Sequence, residues 1–208
     1  MLVTISRQYG AGGSDVAERV AAALGWRLVD NELVEQVAAR AGLPAADVAR
    51  LEERGASFIE RLARTLVAAT PELFSAGGAA TRGAVPEFQE ADLVRITETV
   101  VAEIAAGGNV VLVGRATPVL LASERDAVHV RVVAPRDYRI GVVARRLGLS
   151  AAEAAKAVDD TDANRARYHR QYYKRDWEEP TGYHLVLNTA ALGLSGAADL
   201  ITWWVTRS

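Results

Sequence analysis

Residues 3–15, VTISRQYGAGGSD, run from a β-branched strand signal through a glycine-rich turn into a helical pattern. That order leaves few architectures open, because strand, tight glycine turn and helix in succession is the layout of a phosphate-binding loop at the head of a parallel sheet. In the pattern G-x-x-x-x-G-K-[ST], backbone N–H groups and the start of the helix surround phosphate oxygens while the lysine neutralises their charge. Here Arg7 stands at the first glycine, Gly12 keeps the second, Gly13 replaces the lysine and Ser14 keeps the hydroxyl position. Gly10, Ala11, Gly12, Gly13, Ser14 and Asp15 are therefore the candidate cradle, and the missing cation has to come from elsewhere. Arg7 is its first candidate, since a guanidinium forms bidentate contacts with phosphate and stays charged at every relevant pH.

The rest of the chain repeats the alternation. Strand signals at Leu2–Ser6, Arg27–Asp30, Asn109–Gly114, Val128–Ala134 and His184–Thr189 are separated by helical patterns, which favours a parallel sheet with crossover helices. Ser14–Leu24 places Val16, Val20 and Leu24 on one face, and Gly25 ends it. Asn31–Arg40 reads as a helix, as does Pro44 to about Arg64. Pro71–Phe88 lacks periodicity and reads as a loop, and Ala91–Ala106 carries a stripe of Leu93, Ile96, Val100 and Ile104. Pro135–Trp177 is a long arginine-rich helical region, and Ser195 is expected to cap a closing helix with Ala198, Ile201, Trp204 and Val205 inward. The expected fold is α/β: a five-stranded parallel sheet with helices on both faces, in one domain spanning 1–208. Its core covers about 1–43, 107–135 and 183–208, a helical acceptor-binding insertion about 44–106, and a lid about 136–182.

Charge and composition decide what such a fold can bind. A formal net charge of −2 gives no general attraction to nucleic acid or anionic membrane, so phosphate has to be met by locally grouped arginines. Of 24 Lys+Arg, all but Lys156 and Lys174 are arginine, so no lysine lies near the loop to replace the missing one. The absence of Cys excludes thiolate catalysis and disulfides, and no apolar run is long enough to span a bilayer. The expected setting is a bacterial-type cytoplasm. His129, His169 and His184 lack metal-ligand spacing.

Further candidates sit at the carboxyl ends of strands, where open α/β sheets bind ligands. Asp30 follows the second strand and would hold an acceptor's hydroxyl or base, or a metal-bound water; capping the next helix is its plainer role. Arg115, after the third strand, is placed for an acceptor phosphate. No acidic residue ends that strand, which leaves Mg²⁺ to Ser14, water and the nucleotide. In the arginine-rich region Arg139 and Arg165, with Asp162 beside them, are the candidates for charge around a transferring phosphoryl group. Most of the other arginines there read as solvated helix surface. Tyr168, Tyr172, Tyr173 and Trp177 read as core or hinge packing. A competing dinucleotide-binding reading rests on Gly10-x-Gly12 after a strand and on Asp30 about 18 residues later, but Asp15 occupies the place of its third glycine.

Three blocks carry a resemblance: ISRQYGAGGSDVAERVAAALGWRLVDNELV near the start, VVLVGRAT in the middle, and DANRARYHRQYYKRDW followed by YHLVLNT near the end. In that order and spacing, the chain resembles the cytidylate kinase-like family, in a branch whose phosphate-binding loop lacks lysine. The resemblance implies a three-layer P-loop nucleoside monophosphate kinase fold that uses ATP and Mg²⁺. ATP phosphates would lie over Gly10–Ser14, an acceptor nucleotide or related small molecule near Asp30 and Arg115, and a lid would bear Arg139, Asp162 and Arg165. In cytidylate kinases the loop ends in Gly-Lys-Gly-Thr and the third strand is followed by Gly-Arg-Asp; here the lysine is Gly13, the threonine is Asp15 and the aspartate is Ala116. A nucleotide-binding pseudokinase is the alternative these departures raise. The apolar helices of the insertion supply a candidate homodimer contact.

Overall fold

A computed structural model describes residues 1–30 and 90–207. The helices expected at Asn31–Arg40 and Pro44–Arg64, the loop at Pro71–Phe88, and with them the body of the insertion and its candidate homodimer contact, lie outside the described residues.

Five strands form one parallel sheet: β1 (Leu2–Arg7), β2 (Arg27–Val29), β3 (Val110–Val113), β4 (Ala127–Val133) and β5 (Leu185–Asn188), in the order β2-β3-β1-β4-β5. β1 is central, with Val3 opposite Val111 on one side and Val128 on the other. The α-helices among the described residues are α1 (Gly13–Leu24), α2 (Glu90–Ala106), α3 (Thr117–Leu120), α4 (Arg136–Leu147), α5 (Ala151–Tyr173) and α6 (Thr189–Val205). The expected α/β class, strand count and parallel direction are all present. The dinucleotide reading loses its footing in the strand order: β3 lies between β1 and β2, so Asp30 is two strands away from the glycine loop rather than on the neighbouring strand.

Alternation along the strands sorts their residues between two faces. Val3, Ile5, Val111, Val113, Val128, Val130 and Val132 point to one side, where they pack with Val16, Ala17 and Val20 of α1 and Ala197, Ala198, Ile201 and Val205 of α6. The other side carries the polar residues of the central strands, Thr4, Ser6, His129 and Arg131, all buried. Each is answered: Thr4 Oγ1 lies 2.8 Å from His129 Nδ1, Trp177 Nε1 donates to Ser6 Oγ at 2.8 Å, and Arg131 Nη1 donates to the Trp177 carbonyl. The Arg131 guanidinium also lies 4.2 Å from the centre of the Trp177 ring. Trp177 is thus core packing, one of the two roles expected of it, and pins the chain that follows α5 to the two central strands.

Two helix details differ from expectation. The closing segment is two helices in succession: Asn188 caps the first by accepting the Ala190 N–H at 3.0 Å, and Gly193, at φ 69°, breaks it from the second. Ser195 follows that break, at the start of the second helix, and accepts from Arg19 Nη1 at 3.1 Å. Past the kink the buried stripe is Ala197, Ala198, Ile201 and Val205, while Trp203 and Trp204 face outward. Among the described residues of α2, Val94, Thr97, Val100, Val101 and Ile104 are buried, so the expected Val100 and Ile104 face inward while Ile96 sits at the margin.

Candidate active site

The loop between β1 and α1 turns on two glycines in the left-handed region, Gly10 at φ 80° and Gly12 at φ 77°. Neither has room for a Cβ: at Gly10 it would stand 2.9 Å from the Arg139 carbonyl oxygen, and at Gly12 it would overlap Leu194. The loop is packed against α4 and α6. Ala11 is buried, and its carbonyl accepts from Thr189 Oγ1 at 2.7 Å. Asp15 is exposed in the first turn of α1, where a carboxylate suits the positive helix end.

A cleft of about 500 Å³ opens beside this loop, lined by Gln8, Tyr9, Gly10 and Gly12–Asp15 on one side and by Val142, Val143, Arg146 and Leu147 of α4 on the other. A smaller cavity, about 20 Å³, lies past the ends of β1 and β3 and is lined by Ser6, Gly114, Arg115, Ala116, Tyr168, His169 and Trp177 among others. Arg7 and Arg165 line both spaces.

The sequence-predicted residues separate into three groups. Arg7, Ser14 and Asp30 come together: Ser14 Oγ donates to Asp30 Oδ2 at 2.9 Å, and Arg7 Nη2 stands 3.7 Å from Asp30 Oδ1. Arg115 is buried at the smaller cavity on an unusual turn, in which Gly114, Arg115 and Ala116 are all left-handed, at φ 76°, 52° and 53°. Two consecutive non-glycine residues in that region mark stored strain next to the site.

Arg139, Asp162 and Arg165 form the third group, and the structure divides their work. Arg139 is buried; its Nε donates to the Ala134 carbonyl at 3.0 Å and its Nη1 to the Tyr9 carbonyl at 3.0 Å and to Asp162 at 2.6 Å. It braces the loop from beneath and does not line the cleft. Asp162 accepts the Tyr9 N–H at 2.8 Å. Burial pushes its carboxyl above the usual aspartate value, against the pull of the Tyr9 N–H, Arg139 and Arg165. Arg165 donates to the Arg7 carbonyl at 2.8 Å and lines both cavities. Arg146, in the last turn of α4, is a cleft arginine that sequence reasoning counted but did not select. No local sequence signal singles it out, since its place follows from Val143, three residues earlier, packing beside Gly10.

Mg²⁺ takes hard oxygen ligands and is usually held by one or two carboxylates together with substrate phosphates. The Ser14 hydroxyl and Asp30 carboxylate, within 2.9 Å of each other beside the loop, fit that demand. Among the described residues no cluster of three or more acidic or histidine side chains offers an all-protein site, and no described helix is long and apolar enough to cross a membrane.

Comparison with known proteins gives the same architecture. A protein from Eubacterium ventriosum ATCC 27560, described only as uncharacterized, superposes with a TM-score of 0.70 at 16% identity, over 100% of this chain and 99% of that one. Shikimate kinase from Bacteroides thetaiotaomicron gives 0.54 at 11%, over 99% and 98% of the two chains. Shikimate kinase from Acinetobacter baumannii, in complex with shikimate, gives 0.52 at 13%, over 99% and 93%. At such identities the likeness is one of fold, that of the P-loop kinases. No curated protein matches the chain. The model of the cytidylate kinase-like family, however, matches residues 2–191, nearly the whole sequence, and the chain therefore belongs to the cytidylate kinase-like family.

Proposed function

We propose that this protein is an ATP-dependent phosphotransferase whose acceptor is a nucleoside monophosphate or a related small molecule. The observation that carries this reading is the meeting of two cavities at a pair of arginines: Arg7 and Arg165 each line both the loop-side cleft and the space beyond β1 and β3. Phosphoryl transfer asks little covalent work of protein groups; it needs donor and acceptor in line, with positive charge around the group that passes between them. ATP phosphates in the cleft would meet the N–H groups of the loop and the start of α1, with Arg146 beside them. An acceptor oxygen arriving from the Arg115 side would attack the γ-phosphorus as its bond to the bridging oxygen breaks, with ADP leaving and the acceptor's proton passing to solvent. Arg7 and Arg165 stand where charge accumulates during that exchange. Ser14 and Asp30 would hold Mg²⁺, which would supply neutralisation of phosphate charge when bound. The family membership and the P-loop kinase fold support the same reading.

Purified protein, incubated with ATP, Mg²⁺ and a panel of ribo- and deoxyribonucleoside monophosphates plus small hydroxy acids, is expected to release ADP only when the right acceptor is present. ATP binding without turnover on any acceptor would overturn the assignment. It would favour a nucleotide-binding pseudokinase, the reading motivated by Gly13 at the lysine position and by Arg7 facing Asp30.

A further inference from the structure

Gly13 is a glycine for a reason its own backbone does not supply. Gly10, Gly12 and Gly114 lie at positive φ, where a side chain is strained whatever the space around it. Gly13 is the first residue of α1 and is not among the positive-φ residues, so any amino acid can adopt its conformation. What excludes a side chain there is Arg7. A Cβ built on Gly13 would overlap Arg7 Cβ and lie 2.9 Å from Cγ and 3.5 Å from Cδ. These atoms are the root of a side chain fixed on the central strand, so they cannot swing aside as a flexible tip would.

At its other end the same side chain passes Gly114, where a Cβ would overlap Nη1 and stand 3.1 Å from Cζ. Arg7 therefore lies in a groove with a glycine on each wall, its stem against residue 13 and its guanidinium against residue 114. Among the described residues its charged partner is Asp30 at 3.7 Å, longer than a hydrogen bond, which holds the guanidinium in place without using up its N–H donors.

We infer that Arg7 occupies the room a side chain at position 13 would take, and that its guanidinium is the phosphate-binding cation of this loop, recognising the terminal phosphate of the donor nucleotide in place of a lysine at 13. Residues 7 and 13 are then two ends of one slot that admits one cation. The identity of the ligand rests on the phosphotransferase reading, whereas the sharing of the slot rests on packing alone.

The test is an exchange. Wild type, Arg7→Gly, Gly13→Lys and the double variant Arg7→Gly/Gly13→Lys are titrated with ATP and with AMP by calorimetry, and each is melted; glycine is used at 7 because the Cβ that alanine would keep is itself the nearest atom to a side chain at 13. Arg7→Gly is expected to lose the preference for ATP over AMP by roughly tenfold to a hundredfold, the worth of a charge-assisted contact. Gly13→Lys is expected to melt lower and bind ATP more weakly than wild type, although it adds a positive charge beside the loop. The double variant is expected to melt no lower than Arg7→Gly and to regain most of the ATP preference. Wild-type melting and ATP affinity in Gly13→Lys would overturn the inference, and so would a folded double variant that prefers ATP no more than Arg7→Gly does. The two readings fail separately: restored ATP preference without turnover on any acceptor sinks the phosphotransferase, while turnover and ATP preference unchanged by Arg7→Gly sink the arginine and leave the phosphotransferase standing.

Discussion

The carboxylate of Asp162, in α5, accepts the backbone N–H of Tyr9, in the phosphate loop, across 153 positions of sequence. Arg139 of α4 holds the carbonyl of the same residue, and the Tyr9 ring packs with Val143, Ala154 and Val158 in a small core between the two helices. Loop and helical pair are consequently one body.

Removing the carboxylate should loosen that body at both ends. Asp162→Ala leaves the buried Arg139 guanidinium without its counter-ion, a change that costs about 3 kcal/mol where a buried pair is broken. In a chain of this length that corresponds to a fall in Tm of about 6–12 °C. Asp162→Asn keeps an acceptor for the Tyr9 N–H and is expected to lose less. Thermal melts compare the two, and faster amide exchange at Tyr9 in the alanine variant would place the loss in the loop; equal melts would show that the clamp carries no stability.

Acid should expose a second buried contact. Burial lowers the His129 pKa from 6.5 to about 4, with the neighbouring His184 adding to the shift and a hydrogen bond to Leu121 opposing it. The unfolded chain binds a proton near pH 6.5 and the folded chain does not, so stability is full above that pH and falls as pH drops toward 4, by up to about 3 kcal/mol. Urea unfolding at pH 7, 5.5 and 4.5 should show this loss, and His129→Asn should flatten it. A variant with the wild-type slope would assign the acid sensitivity to other groups.

Strain at the turn after β3 should be recoverable. Ala116 sits at φ 53° and is buried, and a non-glycine residue in that region costs about 1–2 kcal/mol. Ala116→Gly is expected to stabilise the protein by about 1 kcal/mol once the extra freedom of glycine in the unfolded chain is deducted. Arg115 shares the strain at φ 52°, but its buried guanidinium has partners, so Arg115→Gly loses those contacts as it relieves the turn and is expected to melt below Ala116→Gly. A lower melt for Ala116→Gly would show that the turn is not strained.

The paired oxygens of Ser14 and Asp30 predict a metal dependence that binding alone can read. In wild type, Mg²⁺ is expected to strengthen ATP binding, and Ser14→Ala or Asp30→Asn should each reduce that enhancement by roughly tenfold or more. ATP titrations with and without Mg²⁺ measure it. An enhancement untouched by both variants would move the ion elsewhere.

The strands were legible because each is a compact, mostly apolar run; NVVLVG and HLVLNT bound β3 and β5 within about a residue. The glycine loop was legible for the same local reason. What stayed hidden depends on distant partners. Nothing within a few residues of Arg139 says that its guanidinium is spent on the carbonyls of Ala134 and Tyr9. The start of α6 was missed because Asn188 is also the last residue of β5, and Gly193 then breaks the helical period that would have betrayed the earlier turn. Trp204 was read as inward from its apolar character, whereas the kink at Gly193 turns Ile201 and Val205 inward and leaves both tryptophans outside.

The shared slot of residues 7 and 13 also bears on how such a loop changes over evolutionary time. A descendant that gained lysine at 13 before losing Arg7 would pass through a collision, and one that lost Arg7 first would pass through a loop with no cation in that slot. Either single replacement is a step down, so the arginine and lysine forms are separated by a valley that only paired replacement crosses. Once established, the arginine loop is held in place by its own packing.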